Sequence, residues 1–355
     1  MAFDARAEWQ QFCQNLEKAG EAVLSADLQD SDLDQAEGIR YLTRLLRVGL
    51  DMHLENADPA FPGFYQASHA TAKIGSDNPD NLYQNATISG DYSYRIWGNR
   101  GTVPILSFGT KANRYMIDGS MASTGEIDIR DVNCDADGNF EIIMSREKHD
   151  GNWLPLENDS SMVIVRQTFF ERHKEVPATV QIEAIDGPEK PASLNPDFLT
   201  ESLGRTTSFV NGTASIFKQW AEIFRKENKN LLNTTDQSMF IKAGGDPMIY
   251  YLHGWWDLQD GEALKITSKI PECEGWNFQI NNIWMESLDY RHHTIHHNNA
   301  TADYNANGTV TLLVSPQKPA SGNWVDTVGH SHGTMLWRWT GAHDHPIPTT
   351  EIVKL

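Results

Sequence analysis

Apolar residues Trp9, Phe12, Leu16 and Ala19 recur at helical spacing, which predicts an amphipathic helix near the start of the chain. A second helix opens at Ser31-Asp-Leu-Asp-Gln-Ala-Glu, with a capping serine and first-turn acids, and Ile39, Leu42, Leu45, Leu46 and Leu50 form its apolar stripe. Arg40, Arg44 and Arg47 lie along a neighbouring face that reads as solvated or paired with acids. After a linker rich in proline, the period shortens. Residues 86–90, 92–97, 103–108, 126–132, 140–145 and 162–170 read as strands separated by turns, a meander. Helical spacing returns over 194–232 through Phe198, Phe209, Ile216, Trp220 and Phe224. Strands then resume at 248–252 and 263–270, and 277–290 and 309–314 read as a pair.

Strands and helices do not alternate regularly, which argues against a doubly wound or barrel fold, and no period of about 20–50 residues repeats. The expected fold is α+β and mainly β: an antiparallel β-sandwich, jelly-roll-like, with N-terminal helices and a helical insertion. Residues 1–58 form the expected helical region, and 59–355 the sandwich domain carrying the insertion near 194–232.

Composition narrows the partners. With 39% hydrophobic and 22% charged residues, the 355-residue chain reads as globular. Its formal charge of −19 disfavours nucleic acid and anionic membranes and does not reveal a substrate; the expected partner, a small-molecule ligand, rests on the candidate site residues. A homodimer is the base-rate expectation for assembly. Three scattered cysteines suggest neither a disulfide framework nor a zinc knuckle. No basic and apolar leader opens the chain and no apolar run reaches the length of a membrane span, so a cytoplasmic location is expected.

Candidate chemistry gathers toward the C-terminus. Eight of the thirteen histidines fall between His292 and His345. His330-x-His332 on an extended chain places two rings on one side about 7 Å apart, as two ligands of a divalent metal can be. His343-x-His345 has the same spacing but sits beside Pro346. In the His292–His297 cluster a strand would hold His292 and His296 roughly 13 Å apart, too far to share one ion. Without metal, His330 is the candidate general acid or base, oriented by Asp326, with Arg338 binding an anionic or carbonyl oxygen. Glu286 alternates with Trp284 in an apolar setting, where a buried carboxyl could donate a proton or could pair with Arg291 or Arg338. The Asn133-x-Asp135-x-Asp137-Gly138 stretch resembles the start of a calcium loop. It has Met144 where a bidentate Glu is required, so it reads as a hairpin turn. No phosphate-binding loop, dinucleotide fingerprint, serine-hydrolase elbow or His-Glu-x-x-His occurs, and no nucleotide cofactor is expected.

Several segments are spread over most of the chain beyond residue 70: Asn78-Pro-Asp-Asn-Leu-Tyr83, Tyr94-Arg-Ile-Trp-Gly-Asn-Arg-Gly101, Asn152-Trp-Leu-Pro-Leu156, Val165-Arg-Gln-Thr-Phe169, Trp284-x-Glu-Ser-Leu-Asp289, Asn323-Trp-Val-Asp-Thr-x-Gly-His330 and Arg338-Trp339. In their number and order the chain resembles the bacterial family called domain of unknown function 1214, in a short form with N-terminal helices. The resemblance implies a β-rich sandwich and supplies no settled activity. It favours Asn152, Trp153, Arg166, Glu286, Asp326, His330 and Arg338. The ligand-contacting set is then Trp153, Asn152, Trp284, Trp324 and Arg166, and the catalytic set His330, Asp326, Glu286 and Arg338. The expected function is acid–base chemistry on a hydrophobic or aromatic small molecule, with lyase, hydratase, isomerase and hydrolase reactions all open. The alternative is a non-catalytic protein that binds a glycan or lipid-like ligand through tryptophans borne on turns.

Overall fold

The computed structural model describes residues 3–114, 120–234 and 236–355. Helix α1 (Ala5–Leu24) is capped by Asp4 and α2 (Asp32–Leu50) by Ser31, each accepting hydrogen bonds from first-turn amides. Helix α3 (Pro196–Glu227) starts with proline at its first turn behind the Asn195 cap. It lies against both earlier helices and is the main helical mass of the fold. The buried stripes differ from the sequence pattern at two positions: Trp9 is 63% and Ile39 57% exposed, whereas Val23, Tyr41, Leu45 and Val48 are buried. The stripe turns toward α3, which periodicity within one helix cannot reveal.

The strands run β1 (Asn81–Thr87), β2 (Tyr94–Asn99), β3 (Ile105–Arg114), β4 (Ser120–Asp128), β5 (Asn139–Ser145), β6 (Trp153–Pro155), β7 (Met162–Thr168) and β8 (Thr179–Ala184) in the first half. After α3 come β9 (Leu232–Thr234), the short α4 (Gln237–Lys242), β10 (Ile249–Asp257), β11 (Glu262–Lys269), β12 (Gly275–Ile280), β13 (His296–Asn298), β14 (Thr309–Ser315), β15 (Asn323–Asp326), β16 (His332–Thr340) and β17 (Thr349–Lys354). They form four sheets, ordered β1-β7-β3-β4, β6-β5-β2-β8, β13-β12-β16-β10-β9 and β15-β14-β11-β17. Among the described residues no sheet closes on itself, and the class is α+β with mostly β content.

Adding nine to each strand number of the first half reproduces the second. The order β1-β7-β3-β4 becomes β10-β16-β12-β13, and β6-β5-β2-β8 becomes β15-β14-β11-β17, with β9 as an extra edge. Even the two parallel pairs, β5 with β6 and β14 with β15, correspond. The chain therefore folds one unit twice. The meander expected through the first half is corrected by this topology: β4 and β5 lie in different sheets, so the Asp135–Asn139 turn is no hairpin. Nor do β12 and β14 pair. Most consecutive strands cross between sheets, because each sheet must cover the apolar face of the other.

Side-chain alternation assigns the faces. In β7, Val163 and Val165 enter the core shared by the first two sheets, leaving Ile164 and Arg166 on the opposite face. In β16, Met335, Trp337 and Trp339 enter the core of the second pair, while Leu336 packs with Trp220, Phe224 and Trp255 under the helices. Burial on both sides accounts for the unbroken apolar run in that strand.

Candidate functional site

The free faces of β1, β7, β10 and β16 meet at a cavity of about 230 Å³. Its polar lining comes from matching positions of the two units. Tyr83 lies opposite Arg166 across β1 and β7, and Tyr251 lies opposite Arg338 across β10 and β16. Each tyrosine hydroxyl accepts a hydrogen bond from the amide five residues earlier, Asn78 to Tyr83 at 3.2 Å and Asp246 to Tyr251 at 2.9 Å. Each arginine reaches across to the other unit: Arg166 Nη2 donates to the Gly244 carbonyl at 2.9 Å, and Arg338 Nη2 to the Ser76 carbonyl. Both acceptors belong to the loops that lead into β10 and β1. Ser76 and Gly244 both have positive φ, +58° and +96°, which turns those loops into the cavity.

The two couples differ in their electrostatics. Arg338 donates to Gln279 Oε1 at 2.6 Å and Asn277 Oδ1 at 3.2 Å, both neutral, and burial lowers its pKa from the usual arginine value. Arg166 stands 3.6 Å from the Asp246 carboxylate, and its Nη1 finds no hydrogen-bond partner among the described residues. Burial opposes the Arg166 charge, but the Asp246 and Glu126 carboxylates outweigh it and its pKa is raised. His253, 3% exposed, also lines the cavity, and its Nδ1 has no hydrogen-bond partner among the described residues. Burial, reinforced by the Arg338 charge, holds this imidazole well below its ordinary pKa, so it is neutral at pH 7. Phe217, Trp220, Phe240, Ile249 and Leu336 supply the apolar wall.

A second polar cluster fastens α2 to the second unit. His330 Nε2 lies 2.9 Å from Glu37 Oε2, and its Nδ1 lies 3.0 Å from the Thr327 carbonyl. Asn282 bridges Glu37 to Glu286, donating 2.9 Å hydrogen bonds to both, and Arg44 pairs with Glu286 at 2.6 Å. The His330 pKa is raised, because the bond to Glu37 outweighs burial, and that of Glu37 is lowered by His330 and Arg40 against burial. Burial raises Glu286 in spite of Arg44.

Residues 83–168 and 263–343 match the family described as "Protein of unknown function (DUF1214)". The chain belongs to this family. One matched segment lies in each unit, the first containing Arg166 and the second Arg338. A crystal structure of an uncharacterized protein from Burkholderia cenocepacia is similar throughout, with 47% identity and a TM-score of 0.95 over 98% of this chain and 96% of that one. A Vibrio parahaemolyticus protein of known structure shares the fold at 12% identity, with a TM-score of 0.52 over 96% of this chain and 100% of that one. No curated protein matches the chain.

In this DUF1214 protein the residues singled out from sequence part company. Of the catalytic set only Arg338 lines the cavity; His330 and Glu286 belong to the cluster under α2. Asp326 does not orient His330: its carboxylate lies 2.8 Å from His293 Nδ1, because the β15 end faces the loop before β13. Glu286 pairs with Arg44 rather than with Arg291 or Arg338. His332 Nε2 stands 3.4 Å from Asp34, and among the described residues no three His, Cys, Asp or Glu side chains are grouped to hold a metal ion. Tyr250 stacks on His345, and His296 and His297 bond to Asp80 and the Trp324 carbonyl.

Of the expected ligand-contacting set, Arg166 lines the cavity. Asn152 and Asn323 instead repeat one structural device. Each side-chain amide donates to two carbonyls, of Asn133 and Glu141 or of Asp303 and Thr311, and each Oδ1 accepts the amide of Asn133 or Asp303. The adjoining indoles repeat it too, Trp153 donating to the Ser145 carbonyl and Trp324 to that of Ser315. Trp284 is buried and donates to the Asp34 carbonyl of α2. Sequence reading missed Tyr83, Tyr251 and His253 as cavity residues. A signal of the duplication was present: Asn-Trp occurs once in either half of the chain, at 152–153 and 323–324, a spacing far longer than the periods that mark solenoid repeats. No helix among the described residues is long and apolar enough to cross a membrane.

Proposed function

We propose that this protein binds a hydrophobic or aromatic small molecule in the cavity between its two units and acts on it by acid–base chemistry. The observation that carries the reading is the pairing of unsatisfied buried polar atoms with an aromatic wall. Among the described residues Arg166 Nη1, 3.6 Å from Asp246, and His253 Nδ1 have no hydrogen-bond partner; both residues line one cavity, and such atoms are costly unless something bonds to them. Of the sequence-derived catalytic set, the proposal keeps Arg338 as the group facing a substrate oxygen. It adds His253 as a neutral imidazole able to donate or accept a proton without a charge of its own. Each pair of sheets packed on a common core makes a jelly-roll-like sandwich in this reading, so the site is an interface between two sandwiches, where small-molecule pockets are commonly built.

The test is a ligand screen by thermal shift and tryptophan fluorescence, with Trp220 as a reporter in the wall. A true ligand at about 100 times its Kd stabilises the fold by about 2.7 kcal/mol. Ala243→Phe, which fills the cavity, is expected to abolish both responses, and an unchanged response would sink the assignment. His253→Gln separates the two modes of action. An enzyme loses turnover and keeps binding, whereas a non-catalytic binding protein shows no turnover in either form.

A further inference from the structure

Arg338 differs from the other charged groups around the cavity in how it is held. Lys111 forms an ion pair with Glu126, Asp80 sits 3.0 Å from His296, and Asp246 stands opposite Arg166. The Asp77 carboxylate accepts from the amide and hydroxyl of Ser287 and is the foremost charge supporting buried Lys73. Arg338, 5% exposed, donates only to neutral oxygens, and among the described residues no carboxylate lies within ion-pair distance of it; Asp77 and Asp80 support its charge only from farther off. Its three hydrogen bonds leave two of the five guanidinium N–H groups over. A buried cation whose nearest carboxylates stand beyond ion-pair distance is costly, and water in a small cavity compensates it only in part.

We infer that the ligand of this cavity is a monoanionic carboxylic acid, its carboxylate held by Arg338 and its apolar or aromatic body laid against Phe217, Trp220, Phe240 and Leu336. This deepens the reading of the cavity as the ligand site and rests on it. A guanidinium fork suits a planar carboxylate, and one guanidinium with N–H groups to spare calls for one such group. A cavity of about 230 Å³ lies below the usual range for drug-sized ligands, so the body is of the order of one ring or a short chain. Arg166 plays the secondary part, since Asp246 already answers its charge.

Titration calorimetry on the full chain at pH 7 tests this with three matched pairs: benzoate, phenylacetate and hexanoate, each against its neutral amide. At least one acid is expected to bind about 10-fold or more tightly than its amide, and Arg338→Gln to bring that ratio to about 1. Arg338→Lys, which keeps the charge and loses the fork, is expected to retain part of the preference. Acid and amide binding equally well to the unaltered protein would overturn the carboxylate while leaving the cavity as the site. Inorganic phosphate competing as well as the preferred acid would overturn the apolar body. Failure of all six compounds to bind would overturn both. The comparison on the unaltered protein decides the matter even where the Arg338 variants fail to fold.

Discussion

Glu37→Gln is the sharpest probe of how the helices are held on the strand units. Glu37 is 6% exposed and its carboxylate receives His330, Asn282 and Arg40 at 2.9, 2.9 and 2.5 Å. A glutamine keeps the volume and one acceptor but removes the charge that keeps His330 protonated. A hydrogen bond to a charged group is worth about 1.5–3 kcal/mol, and breaking a buried pair costs about 3–5. Arg40 is half solvated and recovers little, so a loss of about 2–4 kcal/mol is expected near pH 6. The sign of the pH dependence follows from the two shifts. The raised His330 pKa gives stability that is full below about 6.5 and is lost as pH rises through its folded value. The lowered Glu37 pKa gives stability that is full above about 4.5 and is lost as pH falls through its folded value. The difference between the two proteins is therefore greatest between about pH 4.5 and 6.5 and shrinks on both sides. Asp34, which pairs with His332, and Glu286, linked through Asn282, are present in both proteins and cancel to first order. Urea unfolding at pH 5.5, 7 and 8.5 measures it. A penalty that is constant across those values, or below about 1 kcal/mol at pH 5.5, would refute the reasoning.

Two further substitutions test the packing. Asn323→Ala leaves two carbonyls and one amide unpaired at a site 7% exposed and is expected to cost about 2–3 kcal/mol; Asn152→Ala removes the matching bonds where water can reach and is expected to cost about 1–2. Equal melting temperatures for Asn323→Ala and the unaltered protein would contradict the structural role. Gly38→Ala adds a methyl that would stand 2.8 Å from Val23 Cγ1 and 3.0 Å from the Trp284 ring. The expected loss of about 1–3 kcal/mol from overpacking exceeds the gain of about 1 in helix propensity, so a rise in melting temperature would show that α2 can move off Trp284.

Most elements were legible because they depend on local pattern. The cap at Ser31, the long helix through Trp220, and the alternating strands answer to spacing within one element. Partnership did not follow from spacing. Asp326 and His330 stand four residues apart around Gly329, and the left-handed Val328–Gly329 turn sends His330 to α2 while Asp326 stays with His293. Glu286 was legible as a buried carboxyl but not as the partner of Arg44, which comes from a helix far earlier in the chain. The cavity escaped for a related reason: Tyr83 and Tyr251 look like ordinary strand residues until the two units are laid face to face.

The duplication also bears on where chemistry can reside. Had both copies kept the same partners, each arginine would be equally satisfied and the interface would serve only to join two units. They diverge beside the cavity. In the second unit Gln279, on β12, reaches Arg338 with a neutral oxygen. In the first, Gly109 on β3 has no side chain, and the Glu126 carboxylate lies against it, a Cβ there standing 2.4 Å from Glu126 Oε2. That carboxylate also takes up Lys111, and its field reaches Arg166. The first copy thus has carboxylates beside its arginine and the second has amides, with Asp77 and Asp80 acting only from farther off, which leaves Arg338 the less compensated charge. A substitution that equalises the copies should redistribute it. Gln279→Glu would place a carboxylate beside Arg338 and is expected to weaken binding of a carboxylate ligand by about 10-fold or more through repulsion and competition for the same N–H groups. If the variant binds such an acid as well as the unaltered protein, the asymmetry between the two copies is not what selects the ligand.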